Sequence, residues 1–286
     1  MKYAFMARYE HEFSMKRMCR LLGVSRSGYY SWRQRSQSSR EGANEILLAE
    51  IRAAYQNSRR TYGSPRIHAY LRRKGYFCGR NRVARLMHQH QIVARKAHKR
   101  HPMTTQQFPG ARTAPNLLNR EFSASLPNQK WVSDITYIDT AEGWLYLASI
   151  LDLHSRCVVG WAMADQMDVS LVKNALQMAM LTRQPPEGLL HHSDRGSQYT
   201  SEIYREDLAV FQCKVSMSRT GNCYDNAVME SFFATLKTEC ATTQFKSKTE
   251  ARTAIFEFIE GWYNRQRLHS SLDYLSPVEF ELSSGH

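Results

Sequence analysis

After Gln129 the chain carries three β-rich runs in quick succession, at 132–140, 145–153 and 157–164, with only Gly143 and the His154-Ser155 pair to turn between them. Turns that short join antiparallel neighbours, so the runs predict a meander. An amphipathic helix at 168–182, a strand at 189–193, a helix at 201–211 and a short strand at 214–218 follow, and long helices at 224–240 and 249–265 close the pattern. Strands first, then alternating helix and strand, specify a mixed-sheet α/β domain. No apolar run approaches the ~20 residues of a membrane span, and no charged start leads into an apolar signal segment. A soluble, intracellular protein is expected.

The chain before this domain is different in charge and period. Residues 1–120 carry 25 Lys and Arg against 5 Asp and Glu, a net of +20, whereas residues 121–286 carry 14 against 21, a net of −7. Between Ile51 and Arg120 there are 16 basic residues and no acidic one. Solvated surfaces mix both signs, so this run points to a polyanionic partner. Residues 14–35 read as a helix-turn-helix, with Ser14 and Ser25 as caps and Gly23 at the turn. A polar linker is expected at 34–42. A basic helical module follows at 44–95, its helices at 44–56, 66–74 after the Ser64-Pro65 start, and 80–90. Arg66, Arg72, Arg73, Lys74, Arg80, Arg82 and Arg85 crowd its second and third helices and are expected to contact DNA. Residues 96–128 read as a basic, extended or disordered linker. The six cysteines show no zinc-ligand spacing and are expected to be reduced. Trp131, Trp144 and Trp161 are expected in the core of the sheet.

Three acids stand apart by context. Asp134 lies inside the first β run, Asp194 closes the fourth, and Glu230 sits in the middle of a helix. Buried carboxylates near one another need a cation, and hard ions such as Mg²⁺ take oxygen ligands. On that helix Asn226, Glu230 and Lys237 fall within about 40° of one another, while Met229, Phe232 and Leu236 supply a flank that can pack. Asp139 and Asp152 read as turn or edge charges, and Asp225 as part of an N-cap.

These residues carry a resemblance. Asp134-Ile-Thr-Tyr137, Leu151-Asp-Leu-His-Ser-Arg156, His192-Ser-Asp-Arg-Gly-Ser-Gln-Tyr199, the run from Ser216 to Asn226, and Glu230-Ser-Phe-Phe followed by Leu236-Lys237 resemble the OrfB transposases of the insertion-sequence-three family, whose core is similar to retroviral integrases. The 35 residues between Asp194 and Glu230, the Lys237 seven positions past the acid, and the Tyr263-Asn-Arg-x-Arg-x-His269 run also match that family. The resemblance covers nearly all of 44–280 and implies an α/β, ribonuclease-H-like integrase core; with the residue reading above, the expected domains are N-terminal helix-turn-helix DNA-binding modules (1–43 and 44–95), the linker at 96–128, the core at 129–245 and a C-terminal helical extension at 246–286. It implies catalysis and metal binding by Asp134, Asp194 and Glu230, with two Mg²⁺ ions for which Mn²⁺ can substitute. Lys237 would grip the DNA end and Asn226 would support the site.

The activity so implied is Mg²⁺-dependent 3′-end nicking and strand transfer of an insertion sequence's ends, by copy-out and paste-in. The partners would be double-stranded DNA, both terminal repeats and target, together with further copies of the chain and an upstream reading-frame product fused to it. A bacterial, nucleoid-associated place in the cytoplasm follows. Two other readings stay open at this point: a metal-dependent nuclease that cuts without joining, and a DNA-binding regulator with an inert core.

Overall fold

The computed structural model describes residues 1–34, 38–95, 113–219 and 223–284. Helices α1 (Lys2–Arg8), α2 (Met15–Leu22) and α3 (Arg26–Gln34) enclose a small core of Met6, Met18, Cys19 and Tyr29. Gly23 ends α2 with φ 61°, a left-handed turn that glycine adopts without strain.

Helix α4 (Ser39–Asn57) starts inside the stretch expected as a linker. The reason is a capping box: Glu41 N–H donates to Ser38 Oγ at 3.2 Å and Ser38 N–H donates to Glu41 Oε2 at 2.9 Å. Residues 35–37 lie outside the described residues. Helices α5 (Ser64–Arg73) and α6 (Arg80–Gln89) pack on α4 through Leu47, Ile51, Ile67, Leu71, Val83 and Leu86. Of the stretch 96–128 read as a linker, 96–112 lie outside the described residues. From residue 113 the chain is tied to the core: Leu117 and Leu118 N–H both donate to Ser216 Oγ, at 2.9 and 3.1 Å, and Leu118 is buried.

The sheet has the order β3-β2-β1-β4-β5. Strands β1 (Lys130–Thr140), β2 (Gly143–Asp152) and β3 (Val158–Ala164) form the expected antiparallel meander, and β4 (Leu190–Ser193) and β5 (Lys214–Met217) add in parallel on the other side of β1. Alternation along the strands divides the core. Trp131, Ala148 and Ile150 pack with α7 (Val169–Arg183) and α9 (Glu202–Val210), while Val132, Ile138, Leu145 and Leu147 pack with α10 (Ala227–Glu239) and α11 (Lys248–Phe256). At Gly160 an added Cβ would collide with Ala175 O and Ala179 Cβ, so only glycine lets α7 seat this closely on β3.

The helix expected over 249–265 is divided. It is α-helical to Phe256 and then π-helical over Glu257–Tyr263, which lets Phe258, Ile259, Trp262 and Tyr263 all turn inward. Helix α12 (Pro277–Ser284) ends the described chain. Trp131 is buried and Trp161 half-buried, its Nε1–H donating to Glu260 at 2.8 Å. Trp144 departs from the expected core position: it is 48% exposed, because it pairs with Asp139 near the hairpin tip, against the 42%-exposed Tyr137 ring at 4.9 Å. No described helix is long and apolar enough to cross a membrane.

The helical module α4–α6 seats directly on the C-terminal part of the chain. Leu268 N–H donates to Tyr62 Oη at 2.7 Å, Arg66 Nε donates to Leu268 O at 3.0 Å, and the Tyr62 and Trp262 rings lie 5.9 Å apart.

Candidate active site

Strands β1 and β4 set the first part of the site. Their parallel register pairs Trp131 with His191 and Val132 with His192, and the same alignment continued by two residues brings Asp134 level with Asp194, just past the end of β4. Sites in α/β sheets gather at such strand ends. Ile135 N–H donates to Asp134 Oδ1 at 2.8 Å, and Gly196 N–H donates to Asp194 Oδ1 at 2.9 Å, holding the second acid against the start of α8 (Ser197–Thr200). Glu230 lies in the first turn of α10, exposed, while Met229, Phe232, Phe233 and Leu236 anchor the helix in the core.

Electrostatics link these acids. Burial pushes the Asp134 carboxyl well above the usual carboxylate range, and the negative charges of Asp194 and Glu230 push it further; the Ile135 N–H and the Lys237 ammonium pull it back. Partial burial also raises Glu230. The site thus concentrates negative charge that a cation would relieve, and it offers oxygen donors suited to a hard divalent ion. The trio is a convergence of charge rather than a closed shell: among the described residues no three His, Cys, Asp or Glu side chains are positioned to hold one ion.

Lys237, two helical turns beyond Glu230, places Nζ 4.7 Å from the Tyr137 ring centroid. Asn226 Nδ2 donates to Ser133 O at 3.4 Å, beside Asp134, and its Oδ1 is buried with no hydrogen-bond partner. The structure therefore brings Asn226 and Lys237 to β1.

Asp225 has a larger part than the N-cap expected of it. It is fully buried and accepts from Arg219 N–H, Nε and Nη2 (each 3.0 Å), from Arg120 Nε at 3.1 Å and from Asn116 Nδ2 at 2.9 Å. The Arg219 bonds hold its carboxyl well below the usual range. No side-chain bond caps α10. Asp225 ties the segment after residue 113 to the loop that leads into α10.

Behind the acids two histidines are buried in the sheet. Burial lowers His191 to about 3 and His192 to about 4. His191 Nε2 lies 3.1 Å from Tyr204 Oη, and the His192 ring nitrogens lie 2.8 and 3.1 Å from Ser216 Oγ and Ser218 Oγ. Both are neutral supports of the strand that ends at Asp194.

The basic residues expected on DNA divide into two groups. Arg66 bonds Leu268 O, Arg73 bonds Tyr274 O and the Glu279 carboxylate, Lys74 pairs with Glu50 at 3.3 Å, and Arg82 Nε donates to Asn44 Oδ1 at 2.8 Å. Arg72 lies over the Phe77 ring at 5.3 Å. Arg72, Arg80 and Arg85 are exposed, the last two on α6. Charge density alone could not separate residues that seat the module from residues that face solvent.

Comparison with known proteins agrees with this architecture. The Integrase core domain family model matches residues 124–223, a second Integrase core domain model matches 211–277, and the HTH-like domain model matches 42–100. The chain is 46% identical over 264 residues to the insertion element IS600 uncharacterized 31 kDa protein of Shigella sonnei, covering 92% of this chain and 97% of that protein. It is 43% identical over 284 residues to transposase InsF for insertion sequence IS3A of Escherichia coli, covering 98% of each. Among solved structures, the simian T-cell lymphotropic virus intasome matches with TM-score 0.47 at 15% identity, over 77% of this chain and 70% of that one. The HTLV-2 integrase catalytic core domain in complex with magnesium matches with TM-score 0.41 at 15% identity, over 55% and 97%.

Proposed function

Because the chain belongs to the insertion-sequence-three family of DNA transposases, we infer that Asp134, Asp194 and Glu230 are the acids with which it nicks and joins the ends of its own element. The family membership makes it a polynucleotidyl transferase of the DDE type acting on DNA. The observation that carries the residue assignment is the parallel β1–β4 register, which brings Asp134 level with Asp194 at the strand end, with the start of α10 and Glu230 tied to β1 through Asn226.

The three carboxylates would hold divalent metal as a pair of ions, Mg²⁺ with Mn²⁺ as a substitute. When bound, such ions supply Lewis-acid activation of the attacking oxygen and neutralise charge on the leaving oxygen. The chain's own residues bind and orient. Lys237 holds a phosphate of the element's end beside Glu230. Asn226 steadies β1 at Ser133, next to Asp134. Water first attacks the phosphodiester at the element's end, breaking the P–O bond and freeing a 3′-OH. That hydroxyl then attacks a second phosphodiester, joining the strands and releasing a new 3′-OH, with no covalent enzyme intermediate. Exposed Arg72, Arg80 and Arg85 supply phosphate contacts on the module, whereas Arg66 and Arg73 seat it on the C-terminal chain and Lys74 and Arg82 bond within it. Both element ends must meet, so the working form is a dimer or larger assembly, and fusion to an upstream reading-frame product would add further DNA contacts.

The test uses Asp134→Ala, Asp194→Ala and Glu230→Ala separately, with labelled DNA carrying the element's terminal repeats. Each variant should lose Mg²⁺-dependent nicking and joining while still binding the DNA. A variant that keeps near-normal strand transfer removes its residue from the assignment. Wild-type nicking without any joined product would point instead to a nuclease.

A further inference from the structure

A cavity of about 340 Å³ opens away from the three acids, between α5, the β2–β3 turn, α10 and the chain beyond the π-helix. Arg66, Arg156, Arg267 and His269 line it together with the hydroxyls of Ser231 and Thr235, and no carboxylate is among its lining residues. Ser231 and Thr235 lie one turn apart on α10, roughly 120° around the helix from the Glu230–Lys237 side. The cavity is therefore distinct from the proposed active site.

Its charges are unevenly satisfied. Arg267 is paired with Glu239, Nη2 to Oε1 at 2.9 Å. Arg66 gives Nε to Leu268 O, and Arg156 gives Nη2 to Phe122 O at 2.7 Å; each of these acceptors is a neutral carbonyl. Arg156 Nη1 is buried with no hydrogen-bond partner, and so is Nε2 of His269, a residue only 9% exposed. Buried polar groups left unpaired cost free energy, and native structures rarely keep them without a ligand or water. Burial first, then the charges of Arg267, Arg66 and Arg156, push His269 down to about 2, which keeps the ring neutral with one N–H to offer. Cationic groups, unsatisfied donors and hydroxyls in one place describe a receptor for an oxyanion.

We propose that this cavity binds a phosphoryl group, held by Arg156 and Arg66 with His269 and the α10 hydroxyls. The size suits a phosphate with part of an attached sugar. Two sources share that chemistry: a backbone phosphate of the DNA, or a free phosphate compound. The proposal does not depend on which acids carry catalysis.

The experiment titrates inorganic phosphate calorimetrically into the full chain and, in parallel, measures duplex DNA binding against salt concentration. Arg156→Gln removes the unsatisfied donor, and Ser231→Asp places a negative charge at the exposed rim without disturbing Arg156 packing. Phosphate binding to the wild type that weakens at least tenfold in both variants supports the site. If the slope of log affinity against log salt also becomes shallower by about one, the occupant is a DNA phosphate. If the slope is unchanged, the occupant is a free phosphate compound. Wild-type protein that binds no phosphate and shows the same salt slope as both variants overturns the proposal. Should Arg156→Gln fail to fold by circular dichroism, Ser231→Asp decides alone.

Discussion

Glu239 and Arg267 meet inside the protein: Nε donates to both carboxylate oxygens at 3.0 and 3.1 Å and Nη2 donates to Oε1 at 2.9 Å, with side-chain exposures of 3% and 7%. Trp262 Nε1–H adds a further bond to the same carboxylate at 2.9 Å. The pair joins the end of α10 to the chain that receives Tyr62 and Arg66. It therefore lies between the helix carrying Glu230 and the seat of the helical module.

Removing one partner strands the other charge in the interior, which typically costs about 3–5 kcal/mol. Glu239→Ala should lose stability of that order in urea unfolding. A loss under about 1 kcal/mol would mean that water reaches Arg267 and that the pair is not a structural tie.

Asp134 illustrates the opposite sign. Its folded-state carboxyl is raised, so its ionised form opposes folding at neutral pH, and that cost is relieved as pH falls through the raised value. Asp134→Asn should therefore raise the metal-free Tm, by about 2–4 °C for each kcal/mol relieved, while abolishing strand transfer. Mg²⁺ should stabilise the wild type in the same thermal scan and leave the variant unmoved. Equal Mg²⁺ stabilisation of both proteins would count against Asp134 as a ligand.

Acid should destabilise the fold. His191, His192 and His269 are lowered from 6.5 to about 3, about 4 and about 2, so the unfolded chain takes up protons first. Stability is full above pH 6.5 and declines below it, by about 1.4 kcal/mol per pH unit for each such histidine until its folded-state value is reached. Asp225, held low by Arg219, adds to the loss as pH falls below the ordinary carboxylate value. Raised Asp134 and Asp152 act in the reverse direction. Replacing His191 by Phe should flatten the stability curve between pH 6.5 and 4 by one histidine's share; an unchanged slope would show that His191 does not contribute.

Asp225→Asn should cost about 2 kcal/mol, the scale of lost hydrogen bonds to a charged group. Its effect should reach catalysis through the neighbouring Asn226 and the Ser133 carbonyl. DNA binding near wild-type with strand transfer reduced at least tenfold is the expected split in paired binding and joining assays. Parallel losses in both would mean that the loop serves only stability.

Much of the architecture was legible because strand and helix periods are local. The run at 132–140 is β1 within two residues, and short turns after it allow only the antiparallel meander that is found. Asp134 and Asp194 stood out because an acid is conspicuous in an apolar strand. Partnerships across long separations were not legible. Asp225 meets Asn116 and Arg120 more than 100 residues away, and nothing local distinguishes it from an N-cap. Arg66 and Arg73 looked like their exposed neighbours until the chain beyond Leu268 supplied their acceptors. Trp144 has the residue type of a core position, but near the hairpin tip it lies against the exposed Tyr137 ring and stays 48% exposed. The Ser38-x-x-Glu41 box was readable, and it would have moved the start of α4 into the presumed linker.

Tyr62 and Arg66 hold the backbone of Leu268, both its N–H and its carbonyl. Grafting another transposon's α4–α6 onto this core would therefore keep these two backbone bonds if the graft brings a tyrosine and an arginine to these positions, with the buried Leu268 retained beneath them. Interchange of such modules is in this sense a question of one acceptor, one donor and the backbone of a single residue, and the module could diversify without redesign of the core.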